Sequence, residues 1–104
     1  MYAIVFDLDT EILEKTYGSP GCRNAYADIR KALDAHGFDW RQGSTYFGGG
    51  SVTPVTCFLA VEDLTERFPW FASAVRDIRM LRIEEDNDLA PIIERAARRA
   101  GAAL

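Results

Sequence analysis

The chain is poor in the side chains that most often carry enzyme chemistry. It has one histidine, His36, two cysteines, Cys22 and Cys57, and two lysines, Lys15 and Lys31, in 104 residues. A lone histidine excludes acid–base chemistry by a pair of histidines within one chain. The cysteines form no Cys-x-x-Cys, which excludes the common zinc sites. They are expected to be free thiols in a reducing cytoplasm rather than a disulfide. No apolar run approaches the roughly 20 residues of a membrane helix. No charged segment leads into an apolar one as in a secretory signal, because the first strand pattern starts at residue 2. A net charge of −4 argues against bulk electrostatic coating of nucleic acid, so such contact would need a local basic patch.

What is present begins with "YAIVFDLDTEIL". Tyr2 to Leu8 reads as a strand of β-branched and aromatic residues that ends in two aspartates, Asp7 and Asp9. Thr10 to Gly21 reads as a long connection closed by Gly18-Ser19-Pro20-Gly21. From Asn24 to His36 the residues Ala25, Ile29, Ala32 and Leu33 keep helical spacing, with Gly37 as the stop. Phe38 to Phe47 reads as two short strands broken at Gln42-Gly43, and Gly48-Gly49-Gly50 as a turn with no phosphate-loop signature. Thr53-Pro54 starts a helix to about Arg67, with Leu59 and Leu64 on its buried side. Pro69-Trp70-Phe71 begins a helical turn, Val75 to Glu84 is a strand, and Asp88 to Arg99 is a terminal helix.

This order predicts an α+β fold: a ferredoxin-like βαββαβ sandwich with an antiparallel sheet and an extra C-terminal helix. One domain is expected over residues 1–104, with 88–104 as helix and frayed tail. The helix is expected to pack Leu89, Ile92, Ile93 and Ala96 on the domain. In the first strand Tyr2, Ile4, Phe6 and Leu8 point one way, and Ala3, Val5 and Asp7 the other. If the bulkier set lies under the helices, the second face is bare. A homodimer through that uncovered face would cover it and bring two Asp7 side chains together.

"AIVFDLDT" invites comparison with the nucleophile motif of haloacid-dehalogenase phosphatases. That motif needs Asp-x-Asp-Gly-Thr, and Thr10 stands where the glycine belongs. The chain is also too short for that fold. A longer likeness covers residues 1 to about 88: "MYAIVFDLD", "AYADIRKALDAHGFDWRQGSTY" and "SAVRDIRMLRIEE". On these stretches the chain resembles the virulence-associated protein D (VapD) family of small bacterial endoribonuclease toxins. The resemblance implies a ferredoxin-like homodimer that cleaves single-stranded RNA, with Asp7 and Ser44 at the catalytic positions. It also implies a toxin–antitoxin setting, hence an antitoxin protein as a further partner, and a cytoplasmic location.

From the residues themselves two chemistries stay open. Asp7, with Asp9 as a weaker second ligand, could hold Mg²⁺ against the scissile phosphate. Alternatively Asp7 could act as a general base on the attacking oxygen. No organic cofactor is expected. Arg76 and Arg79, placed together on one face of the last strand, and Gln42 are the candidate substrate contacts. His36 is assigned to the end of its helix, and Trp40, Trp70 and Phe71 to core or interface. The rival reading is a non-catalytic dimeric scaffold or nucleic-acid-binding module.

Overall fold

The computed structural model describes residues 1–17 and 22–101. The expected Gly18–Gly21 loop and the tail beyond Gly101 lie outside them. Four strands, β1 (Tyr2–Leu8), β2 (Phe38–Gln42), β3 (Thr45–Gly48) and β4 (Val75–Arg82), form one antiparallel sheet in the order β2-β3-β1-β4. With α1 (Thr10–Tyr17), α2 (Cys22–Ala35), α3 (Pro54–Arg67), α4 (Phe71–Ala74) and α5 (Ala90–Arg99), this is the ferredoxin-like α+β fold with its additional C-terminal helix.

The alternation read from β1 sets the layers. Ile4, Phe6 and Leu8 are buried in one cluster with Ala25, Ile29 and Leu33 of α2 and Ala60 and Leu64 of α3. Val5 and Asp7 face away from it, half-buried and exposed. Ala3, on the same open face, is buried between its cross-strand neighbours Phe47 and Leu81. Gly37 ends α2 at φ 91°, in the left-handed region that only glycine adopts freely. Gly48 is fixed by space: a Cβ there would lie 2.7 Å from a Val52 methyl. Thr53 caps α3 through a reciprocal capping box with Thr56, and Pro54 opens the first turn.

Four expectations are corrected. Residues 10–17, read as connection, are helical. Asp9 acts as N-cap, its Oδ1 accepting from the Ile12 amide at 3.1 Å, and Leu13 is fully buried beneath the turn. Leu59, expected on the buried side of α3, is exposed. The buried stripe runs through Cys57, Ala60 and Leu64, at i, i+3 and i+7. Of the three aromatics assigned to core or interface, Trp70 and Phe71 lie in the core and Trp40 does not. Finally, α5 does not pack on the domain. It has no buried residue, and Leu89, Ile92 and Ile93 are 61%, 54% and 66% exposed. The helix projects, stretching the molecule to 51 Å with a radius of gyration of 17.0 Å, against about 13 Å for a compact chain of ~100 residues.

Cutting the chain after Asp88 should therefore barely touch the domain. We expect the melting temperature of a dilute sample to move by no more than ~4 °C, the shift that about 0.5 kcal/mol produces at this size. A larger fall in differential scanning fluorimetry would mean that α5 docks.

Candidate active site

β1 is central in the sheet, and its C-terminal end meets the start of β4 on one side and the tip of the β2–β3 hairpin on the other. Asp7 lies on the open face directly across from Asp77. Its carboxylate is 64% exposed. Between Asp7 and Leu8 the register slips: Asp7 pairs with Asp77 but Leu8 pairs with Val75, leaving Arg76 as the extra residue of a bulge. Regular alternation would send Arg76 and Arg79, three residues apart, to opposite faces. The bulge re-aims Arg76, so that its Nη1 lies 3.9 Å from Asp7 Oδ2 and its Nη2 3.3 Å from Asp9 Oδ2.

Asp9 has both oxygens engaged, one by the α1 cap and one by Arg76. The Ile12 amide, with help from Arg76, holds its carboxyl below the usual carboxylate range. It positions Arg76 and the start of α1. Arg79 donates through Nε to both oxygens of Asp77, at 3.2 and 3.1 Å. Arg76 and Arg79 are thus both paired with carboxylates. Among the described residues no three Asp, Glu, His or Cys side chains converge as metal ligands. Asp7 and Asp9 are the two carboxylates that would hold a Mg²⁺ against a bound phosphate, and here Arg76 spans them.

Ser44 comes close in backbone but not in side chain. Its carbonyl accepts from the Phe6 amide at 3.2 Å, one residue before Asp7. Opposite Phe6, it shares the helix-covered face, across the sheet from Asp7. There it lines a recess of about 330 Å³ with Tyr26, Arg30, Trp40, Gly43 and Tyr46. Gln42 ends β2 exposed, before the turn that Gly43 makes at φ 50°.

His36 lies at the other end of the sheet, beside Phe38, which pairs with Gly48. Its Nε2 is 2.8 Å from Asp63 Oδ2, and Arg67 holds the same carboxylate at 2.9 Å. His36 is the chief cause that keeps the Asp63 carboxyl below its usual range. The triad ties α2 to α3 and is far from the aspartates. Cys57 is a buried free thiol, and burial pushes its pKa up. No described helix is long and apolar enough to cross a membrane.

Two features of this region escaped the sequence. Asp77 becomes a site residue only once the β1–β4 register is known. Trp40 and Arg30 meet across two elements, with the guanidinium carbon 3.8 Å from the ring centre.

No protein-family profile matches the chain. Individual relatives do. It is 48% identical over 93 residues to endoribonuclease VapD 2 of Riemerella anatipestifer, covering 89% of this chain and 99% of that one. It is 48% identical over 94 residues to an endoribonuclease VapD homolog of Helicobacter pylori, covering 90% and 97%. With endoribonuclease VapD of Dichelobacter nodosus the identity is 42% over 96 residues, covering 92% and 100%.

Proposed function

Because the chain belongs to the VapD family of endoribonucleases, we propose that it cleaves single-stranded RNA at the end of β1, with Asp7 as the key carboxylate. The observation that carries this is the bulge that turns Arg76 towards Asp7. An acceptor and a cation then stand side by side on an open face that a phosphodiester can reach. Asp7 takes the proton of the attacking oxygen, the Arg76 guanidinium donates to phosphate oxygens as negative charge builds on them, and the P–O bond to the leaving oxygen breaks, that oxygen taking a proton from solvent. Asp9 anchors that guanidinium from behind. Because Arg76 spans both carboxylates, no step is assigned to Mg²⁺. A rate unchanged by EDTA is the expected result, and its loss would restore the metal reading.

The test is labelled single-stranded RNA incubated with wild type and with Asp7→Asn. Equal survival of the RNA in both, with and without Mg²⁺, would leave the non-catalytic scaffold as the correct reading. The toxin–antitoxin setting, with an antitoxin protein holding the activity in check, belongs to the same proposal. Growth arrest on expression of wild type but not Asp7→Asn is its signature.

The proposal also includes a two-fold dimer through the open sheet face. Val5 and Phe47 are only half-buried there, and Leu81 is exposed beside them. Closing a second copy over this patch removes apolar area at about 25 cal/mol per Å² and uses one patch twice, as two-fold symmetry requires. It would also take water from Asp7, whose side chain is 64% exposed in a single chain. Val5→Asp should turn dimer into monomer in micromolar sedimentation runs and reduce cleavage in parallel. A fully active wild-type monomer would overturn this part.

A further inference from the structure

An RNA strand needs cations, and those nearest Asp7 are occupied: Arg76 by Asp7 and Asp9, Arg79 by Asp77. Among the described residues the remaining ion pairs lie at His36, Arg67 and Arg82. Helix α2 carries three cations, Arg23, Arg30 and Lys31, and they gather round Arg30. Arg23, Arg30 and Lys31 line one hollow of about 460 Å³. Arg30 also lines the 330 Å³ recess that holds Ser44. That volume lies within the range of small-molecule sites, about 300–1,000 Å³. This is the local basic patch that an acidic protein needs if it is to hold a polyanion.

The recess combines three kinds of group. Trp40 is 44% exposed, and its indole N–H donates to the Gly43 carbonyl at 2.8 Å, which fixes the ring. The Arg30 guanidinium carbon lies 3.8 Å from the centre of that ring, and the same guanidinium hydrogen-bonds Tyr46. Ser44 adds a hydroxyl, and its own backbone is bonded to Phe6 beside Asp7. Unpaired bases stack on indole rings and on guanidinium planes alike, while N–H edges and hydroxyls bind phosphate.

We propose that this recess is a nucleotide subsite, one turn of the hairpin away from Asp7. A base of the RNA strand stacks on the Arg30–Trp40 pair, and its phosphate is held by the Arg30 edge, Lys31 and the Ser44 hydroxyl. The strand would then pass round the end of the sheet, from the helix face to the open face. Ser44 gains a role here without touching Asp7. The inference rests on the RNA reading above, and the test separates the two.

Uncleaved, labelled single-stranded RNA is titrated into Asp7→Asn, and into the same protein carrying Trp40→Ala, Trp40→Phe, Arg30→Ala or Arg30→Glu, with anisotropy as readout. Trp40→Ala and Arg30→Ala are each expected to raise Kd about ten-fold, within the range of one lost stacking partner. Trp40→Phe should keep most of the affinity, and Arg30→Glu should lose more than Arg30→Ala. The salt slope should fall by about 0.7 for Arg30→Ala, one phosphate contact fewer on a single strand. RNA should quench indole fluorescence in Asp7→Asn but not with Trp40→Phe, because the other indole, Trp70, is buried. Unchanged Kd and slope in folded Arg30→Ala and Arg30→Glu proteins would overturn the subsite and leave the RNA reading standing. Failure of Asp7→Asn itself to bind RNA would overturn both.

Discussion

Asp7→Asn should abolish most RNA cleavage, lowering kcat by at least ~100-fold, while the protein stays folded. General acid–base groups contribute roughly 10²–10⁴ in rate, and asparagine keeps the shape of the side chain but takes no proton. The fold should not notice: Asp7 is exposed, and its one close cation, at 3.9 Å, is also held by Asp9 at 3.3 Å. Exposed pairs of this kind contribute at most about 1 kcal/mol. A loss in kcat with an unchanged melting temperature would place the residue in the chemistry. A joint loss would make Asp7 a structural acid.

The largest effect on stability is expected at Leu33, which is fully buried in the single core between sheet and helices. Leu33→Ala removes the transfer free energy of three carbons and leaves a cavity that packed neighbours fill only in part. The cost should be about 2–5 kcal/mol, a large share of the 5–15 kcal/mol that holds a domain together. Leu59→Ala, chemically the same change on an exposed position of α3, should stay within ~0.5 kcal/mol. Urea denaturation of both variants decides it. Similar midpoints would mean that Leu59 is covered in solution.

That pair of leucines marks where the sequence was legible. Alternation along β1 separated Ile4, Phe6 and Leu8 from Val5 and Asp7, and the stops at Gly37 and Thr53-Pro54 were readable because caps are local chemistry. In α3 the apolar residues nearly encircle the helix, so periodicity could not reject Leu59 from its buried side. Helix α1 was hidden for another reason. Its cap is Asp9, an acid that a search for metal ligands takes first, and Leu13 alone among its residues is buried. The apolar stripe of α5 was correctly seen, but a stripe does not say which surface meets it. The site divides in the same way. Asp7 stood out as an acid at a strand end, whereas its partners Arg76 and Asp77 depend on a register between strands far apart in the chain. The Arg30–Trp40 stack joins a helix to a strand edge, and no spacing rule reaches across that gap.

The extra residue in β4 also governs which insertions and deletions the chain can survive. On the Leu8 side of the bulge β4 begins in phase with the core, through Val75. Beyond it Asp77, Arg79 and Leu81 share one face and Ile78 packs with the core. Deleting Arg76 would leave Val75, Asp77 and Ile78 paired with Leu8, Asp7 and Phe6 in unbroken register, so both halves of the strand keep their faces. What would be lost is the guanidinium beside Asp7 and Asp9. A deletion elsewhere in β4 meets no spare residue and turns every side chain on one side of it to the wrong face. In a gene accumulating random in-frame changes, a one-residue deletion in this strand would spare the fold at the bulge alone, and there it would cost the site.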